Sequence, residues 1–244
     1  MNLRLRSSLL LAIVFAFPLA RAEDSVGVVP PNLDTARIVA EMQRHSLAQT
    51  ATLGHYQALR HYQVEYRGFA ARLAARMDVE VNYDAVAGKT LQIVSQSGSG
   101  FLCEKVLKRA VDSEKEAFQD KRSNAITEAN YRFQLAGTDI VAGRPAYILN
   151  ALPLTVSKFL FRGKIWVDAT DFAVVKMETE PAKSPSFWIS RTLIHSTSAK
   201  TGDFWLPRQV RSETKVRLGG TAVLTIDFGT YQVQPATQLQ AALP

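Results

Sequence analysis

The chain contains few combinations of side chains that could perform covalent chemistry. Asp168 and Asp171 are the first candidates for a general acid and base, but they flank Ala169-Thr170 in a predicted turn, and turns favour Asp. Asp227 falls on the polar side of the last predicted hairpin. None of the three lies in an apolar segment that would tune a carboxyl pKa for catalysis. A structural turn explains the Asp pair, and no acid–base pair is indicated.

The four histidines do not form a metal-binding pattern. His45 and His55 are ten residues apart on one predicted helix, and at about 100° per residue they point to different sides. His61 and His195 fall on predicted strands, without the ligand cluster that a zinc site requires. The sequence also lacks a Gly-x-Ser-x-Gly elbow, a P-loop and a Rossmann fingerprint. We therefore predict no catalytic residue, no metal and no cofactor, and a protein that is not an enzyme.

Cys103 is the single cysteine. An exported chain with one cysteine has no internal disulfide, so burial alone must stabilise the fold. Its neighbours Leu102, Val106 and Leu107 favour a small buried hydrophobe. A reactive or intermolecular thiol is the alternative interpretation.

Residues 1–22 have the pattern of a secretory signal peptide. Arg4 and Arg6 precede an apolar run that is too short to span a bilayer, and Ala20-Arg21-Ala22 is a cleavage site. Cleavage after Ala22 predicts a periplasmic mature protein, residues 23–244, with a single domain; an uncleaved anchor is the alternative. Losing three arginines lowers the formal net charge from +7 to +4. That excess is too small for nucleic-acid binding but favours transient contact with an anionic membrane surface.

Two segments have helical periodicity. Asp34 is a candidate N-cap for a helix that we expect to reach about residue 59, and a second helix is expected over about 102–118. Each carries apolar residues on one side. The mixed charges between Glu104 and Arg122 are typical of the solvated side of a helix.

Most of the remaining chain alternates apolar and polar residues with a period of two, which indicates half-buried strands. The last predicted hairpin turns at Gly219-Gly220, a two-residue turn signal. Strands are predicted near residues 61–67, 77–83, 91–93, 131–135, 146–152, 159–168, 172–178, 187–195, 206–218 and 221–231. The expected fold class is α+β, mainly antiparallel β: a curled sheet of about ten or eleven strands with two amphipathic helices on its concave face.

Aromatic side chains are frequent on the predicted strands. Strands favour aromatics, so ordinary core packing is one interpretation. The other is that some of them line a hollow or its rim, and the proline-broken segment 181–188 has the character of a rim loop. The residues that we predict to line the cavity or its rim are Tyr62, Val64, Tyr66, Phe133, Leu135, Tyr147, Trp166, Phe187 and Trp188.

Several segments together resemble the outer-membrane lipoprotein-sorting, LolA/LolB-like proteins, and among these an exported branch of Gram-negative bacteria. They are Gly143–Tyr147, Gly163–Asp168, Phe172–Glu178, Pro181–Trp188 and Trp205–Pro207. The resemblance covers about residues 34–233. It implies a half-barrel sheet with helices over an apolar concave face that holds lipid or lipoprotein acyl chains.

The leading functional hypothesis is a non-catalytic periplasmic carrier or binder of lipid or lipoprotein acyl chains. The alternative is an envelope sensor or protein-interaction module, because the same fold also serves in anti-sigma regulators. In the second case the helices close the cavity permanently, and segment 181–188 contacts an envelope protein partner.

Overall fold

The computed structural model describes residues 32–68, 72–184, 189–217 and 219–237. Their dominant feature is one antiparallel sheet of eleven strands. The strands are β1 (Leu53–Arg67), β2 (Arg72–Asp84), β3 (Gly88–Gly98), β4 (Tyr131–Val141), β5 (Arg144–Pro153), β6 (Phe161–Asp168), β7 (Val174–Pro181), β8 (Ile189–Thr201), β9 (Phe204–Val216), β10 (Thr221–Phe228) and β11 (Gln232–Pro235).

The sheet runs in the order β3-β2-β1-β10-β9-β8-β7-β6-β5-β4, and β11 pairs with the first part of β1. Strands β4 to β10 form a continuous meander. The long strand β1 pairs with β10 on one side and with β2 on the other, and so joins this meander to β2 and β3. Strands β3 and β4 are the two edges of the sheet. The predicted sheet, mainly antiparallel with about ten or eleven strands, is confirmed.

Helix α1 (Thr35–Thr52) begins at the predicted residue but ends earlier than expected. The Asp34 carboxylate accepts a hydrogen bond from the Arg37 backbone nitrogen at 2.7 Å, which caps the first turn. The helix does not continue to residue 59, because residues from Leu53 onward form backbone ladders with β2 and β11. His55 therefore lies on a strand and not on the helix.

The second predicted helix is present and carries one irregularity. It consists of Gly100–Leu102, a π-helical turn at Cys103–Leu107 and an α-helical body at Lys108–Gln119, which together we name α2. A short helix, α3 (Lys121–Asn124), follows it. Since α2 lies between the edge strands β3 and β4 in the chain, this connection crosses the full width of the sheet.

Both helices pack on the same face of the sheet, which we name the helix face. Tyr62 of β1 packs in a cluster with Leu107 of α2, and Leu149 of β5 packs in a second cluster with Met42 of α1. One row of paired residues connects the two clusters across the strands: Tyr62, Ile226, Val210, Ser196, Met177, Ile165 and Leu149. Residues paired directly across antiparallel strands share a face, so the predicted one-sided placement of the helices is confirmed.

The connection between β9 and β10 is longer than the predicted two-residue turn. Four residues, 217–220, separate Val216 from Thr221, and the Gly219 nitrogen donates to the Val216 carbonyl at 3.3 Å. A Cβ atom on Gly220 would lie 1.8 Å from the Arg67 carbonyl oxygen. Glycine is therefore required at residue 220 by the close approach of β1, and not by a positive φ angle.

The predicted signal peptide, residues 1–22, lies outside the described residues. Among the residues that the structure describes, none of the helices has the length and apolar character needed to cross a membrane.

Candidate functional site

The middle of the helix face is only partly covered. Here three adjacent strands present short side chains in register: Thr192 pairs with Thr214, Ile194 with Ser212, and Ser212 with Leu224. We name this surface the central trough. Its residues are Thr192, Ile194 and Ser196 of β8, Val210, Ser212 and Thr214 of β9, and Ala222, Leu224 and Ile226 of β10.

Burial separates the trough from its two flanks. Every trough residue is half-buried. By contrast, Val64 and Val79 beneath α2 and Leu149 and Ile165 beneath α1 have no exposed surface. The two helices therefore cover the two sides of the helix face, and the strip on β8–β10 between them is less deeply buried. At its β10 edge, Leu224 and Ile226 pack against the α2 cluster.

The nine trough residues carry only aliphatic groups and hydroxyls. The Thr192 and Thr214 hydroxyl oxygens lie 3.1 Å apart and form a hydrogen bond. Charged residues of the same strands occupy the alternate positions, and therefore the opposite face: Arg191 of β8, Arg211 and Glu213 of β9, and Asp227 of β10. A surface of this kind suits a flexible apolar chain, and among its nine residues the polar groups are hydroxyls without a titratable side chain.

Six of the nine predicted cavity residues lie on the helix face, at the flanks of the trough. Tyr66 is half-buried and pairs with Ala222 at the trough edge. Tyr62 and Val64 are buried beneath α2, and Tyr147 is buried beneath α1. The half-buried residues Phe133 and Leu135 pack against the α1 cluster from β4.

Trp166 does not join the others, because it points to the opposite face of the sheet. Its neighbours Ile165 and Val167 face α1, while Trp166 packs with Ala146 and Val175 in a separate cluster. The indole Nε1 donates to the Asp139 carboxylate at 2.9 Å, and the Lys176 ammonium lies 4.1 Å from the ring centroid. Phe187 and Trp188 lie outside the described residues.

Sequence reasoning missed the trough residues themselves. Thr192, Ser196 and Ser212 are polar, so they do not stand out as candidates for an apolar site. Their alternation with the charged residues Arg191, Arg211 and Glu213 was the available signal, since it assigns the hydroxyls and the charges to different faces.

A buried ion cluster attaches α2 to the sheet. Arg60 of β1 is 2% exposed, and its Nη1 donates to the two Glu114 oxygens at 2.7 and 2.6 Å. The Lys89 ammonium of β3 donates to the same carboxylate. Burial acts to raise the pKa of Glu114, but the charges of Arg60 and Lys89 outweigh burial and lower this pKa below its ordinary value. Burial and then the Glu114 charge raise the pKa of Tyr62 to about 12.

The predicted turn at Asp168–Asp171 is structural. The Asp168 carboxylate accepts hydrogen bonds from the Thr170 and Asp171 backbone nitrogens at 2.9 and 2.7 Å, and from Arg144 at 2.6 and 2.8 Å. Burial acts to raise the pKa of Asp168, but these hydrogen bonds outweigh it and lower the pKa. A carboxyl held in this way remains ionised and paired, which suits a turn and not proton transfer.

The remaining candidate groups are structural as well. Cys103 is buried in the α2 cluster, as predicted for a small hydrophobe, and its Sγ lies 3.7 Å from the Ser97 carbonyl oxygen. We found no group of three or more His, Cys, Asp or Glu side chains that could hold a metal ion among the residues that the structure describes.

A scan against protein-family models and a search of the curated proteins found no match to this sequence. A search of solved structures did find similar chains. A DUF1329 family protein from Desulfovibrio piger is 12% identical, with a TM-score of 0.42; the match covers 82% of this chain and 92% of that one. A LolA superfamily protein from Nitrosomonas europaea is 12% identical, with a TM-score of 0.38 and coverage of 83% and 94%.

A third solved structure is a domain from Vibrio parahaemolyticus that is described as an outer membrane lipoprotein-sorting protein. It is 10% identical, with a TM-score of 0.43, and the match covers 82% of this chain and 93% of that chain. This chain is thus similar to solved structures that are described as a LolA superfamily protein and as an outer membrane lipoprotein-sorting protein domain.

Proposed function

We propose that this protein is a non-catalytic periplasmic carrier or binder of lipid or lipoprotein acyl chains, and that the central trough holds the chain. One observation carries the proposal: an uncharged strip over β8–β10 is half-buried, whereas residues on either side of it, such as Val64 and Leu149, have no exposed surface. Burying apolar surface in such a strip supplies binding energy without directional contacts.

The chemistry of the strip supports an acyl chain as the ligand. Ile194, Val210 and Leu224 supply apolar contact, and the hydroxyls of Thr192 and Thr214 are paired with each other, which lowers the cost of removing them from water. Each methylene that leaves water contributes about 0.8 kcal/mol. Affinity should therefore rise with chain length up to the length of the trough.

The test uses acyl probes of two lengths on the mature protein. Octanoyl and dodecanoyl chains that carry the same BODIPY fluorophore are titrated, and binding is followed by fluorescence anisotropy. We expect the longer chain to bind about tenfold more tightly or better, since four additional methylenes become partly buried. Native mass spectrometry and lipid extraction of protein purified from its own membranes identify the natural cargo.

A matched pair of variants locates the site. Ser212→Trp places an indole in the trough, whereas Arg211→Trp places the same indole on the opposite face of β9. We expect the first variant to lose dodecanoyl binding and the second to retain it. Equal binding by both variants, or a protein that is consistently empty and ignores both probes, contradicts the proposal. Recovery of one defined envelope protein by crosslinking, without any lipid, supports the interaction module instead.

A further inference from the structure

Exposed cationic side chains are concentrated at one end of the strands. One row of paired residues crosses the sheet through Ala151, Gly163, Thr179, Ile194, Ser212, Leu224, Val64 and Ala75. Three residues beyond this row, all on the same side of it, the neighbouring strands β2, β1, β10, β9 and β8 carry Arg72, Arg67, Thr221, Lys215 and Arg191. We name this end of the strands the basic end.

The basic end holds a charge excess as large as that of the whole mature chain. On the face opposite the helices, the three outermost rows of these five strands carry six exposed cations and two glutamates, Glu65 and Glu213. The cations are Arg67, Arg72, Arg76, Arg191, Arg211 and Lys215. This excess of four equals the formal net charge of +4 for residues 23–244. The positive charge of the mature chain is therefore local and not spread over its surface.

Most of these cations have no counter-charge within the protein. Those that form no ion pair among the described residues are Arg72, Arg76, Arg211 and Lys215. Arg67 lies 3.2 Å from Glu65, and Arg191 pairs with Glu180 at 2.5 Å, but such exposed pairs contribute little. Because adjacent strands lie about 4.8 Å apart, the outermost row spans about 19 Å. An array of this width fits an extended anionic surface better than a single small anion.

Exposed aliphatic side chains lie at the same end of the sheet. Leu154 and Val156, in the segment after β5, are 52% and 76% exposed. Leu154 lies three residues beyond Ala151, as the cations lie beyond their own residues of the same row, and its backbone nitrogen donates to the Asn130 carbonyl at 2.8 Å. The phosphate backbone of a nucleic acid would satisfy the cations only. A phospholipid surface offers phosphate groups and, just beneath them, acyl chains.

The central trough reaches the basic end. Its outermost residues are Thr192, Thr214 and Ala222, and each is next in the sequence to a residue of the outermost row. Contact between the basic end and a membrane therefore brings one end of the trough to the lipid surface.

We propose that the basic end docks this protein on an anionic phospholipid membrane. The cations contact lipid phosphate groups, and Leu154 and Val156 enter the boundary between headgroups and acyl chains. The inference adds the membrane as a partner to the proposed carrier. It rests on that proposed function for the purpose of docking, whereas the contact itself uses no trough residue.

Vesicle flotation with the full mature protein tests the docking. Vesicles of phosphatidylcholine alone are compared with vesicles that contain about 30% phosphatidylglycerol, in about 0.1 M salt. We expect binding to the anionic vesicles to be about tenfold stronger or more. Most of this preference should disappear at about 1 M salt, where the screening length falls to about 3 Å.

A matched pair of double variants locates the contact. Arg72→Gln with Lys215→Gln removes two unpaired cations of the basic end, and each cation near an anionic membrane contributes about fivefold in affinity. We expect binding to the anionic vesicles to fall about tenfold or more. Lys115→Gln with Arg208→Gln makes the same change in net charge at exposed residues beside Glu114 of α2 and near the start of β9. This control should keep the binding.

A second matched pair tests the aliphatic contact. Val156→Gln should weaken binding to the anionic vesicles about fourfold or more, since it removes apolar groups that enter the interface. Val86→Gln makes the same change at a residue that is 98% exposed in the turn between β2 and β3, at the other end of the sheet, and should have no effect. Ser212→Trp should also bind vesicles normally while it loses the dodecanoyl probe, so failure of the acyl-chain proposal and failure of this one are distinguishable.

Three results would overturn the inference. They are no binding to anionic vesicles at low salt, equal binding to the two kinds of vesicle, and equal losses in the two double variants. If the protein ignores vesicles and crosslinks from the basic end to one acidic envelope protein, the surface belongs to a protein partner and the inference is wrong. The first two results require no variant, so the test does not depend on the folding of an altered chain.

Discussion

The region beneath α2 and the central trough lie on one face of one sheet, yet they are built differently. Beneath α2, Tyr62, Val64 and Val79 are fully buried, and an ion cluster links the helix to two strands. In the trough the residues are short and half-buried, and the polar contact is a pair of hydroxyls. The α2 side is therefore a closed core, whereas the trough keeps part of its apolar surface exposed to solvent.

The largest expected effect comes from breaking the ion cluster. Glu114→Ala should lower the free energy of unfolding by about 3–5 kcal/mol, because it leaves the buried Arg60 without its carboxylate. Urea unfolding followed by circular dichroism measures the change. Glu104→Ala is the matched control on the same helix; its exposed pair with Lys108 should be worth about 0.5 kcal/mol. Equal losses in the two variants would contradict the contrast between core and surface.

Truncation of apolar side chains should show the same contrast at a smaller scale. Leu107→Ala removes a side chain with no exposed surface beneath α2 and should cost about 2–5 kcal/mol. Ile194→Ala in the half-buried trough should cost about 1 kcal/mol, because shortening a partly exposed side chain creates no enclosed cavity. The two variants are compared by thermal and urea unfolding without lipid. A loss in the trough as large as that beneath α2 would show that the trough is a closed core.

The ion cluster also predicts a dependence of stability on pH. The pKa of Glu114 lies below its ordinary value of 4.5 in the folded protein. The stabilisation from its ionised form is therefore fully present above pH 4.5 and is lost as the pH falls through the lower, folded-state pKa. The difference in unfolding free energy between the unmodified protein and Glu114→Gln should narrow between pH 5 and 3. If the difference in unfolding free energy stays constant over this range, Glu114 does not lose its charge there and the lowered pKa is not the cause of the stabilisation.

The smallest effect concerns the polar contact of the trough. Thr214→Val removes one hydroxyl of the pair with Thr192 and keeps the size of the side chain. We expect a change within about 1 kcal/mol in unfolding free energy, and dodecanoyl binding that is kept or tightened. A loss of binding would show instead that the hydroxyls contact the ligand directly.

Several elements could be predicted from local pattern alone. The Asp34 cap, the start of α1, the turn at Asp168–Asp171 and the alternation of most strands follow from interactions within a few residues. The end of α1 could not be located in this way. Residues from Leu53 onward continue a plausible helix, and strands β2 and β11, distant in the sequence, take them into the sheet instead.

The candidate site was harder to predict than the fold. Trp166 lies in the unbroken apolar run Ile165–Val167, where alternation does not reveal which side chains face the helices. Ile165 and Val167 pack against α1 in the folded protein, which places Trp166 on the opposite face of the sheet. The trough could not be predicted because its Thr and Ser residues look, in the sequence, like those on a solvent-exposed face of a strand. Their partial burial is visible only once the two helices are placed on either side.

The sequence by itself determined the antiparallel sheet, the two amphipathic helices and their order, because the period of side chains and the capping residues act locally. Only the tertiary structure decided that Arg60 is buried, since its carboxylate partner lies 54 residues further along the chain. It also decided which part of the helix face is filled. That depends on where two helices of limited length cross a wide sheet, and the uncovered strip is what remains between them.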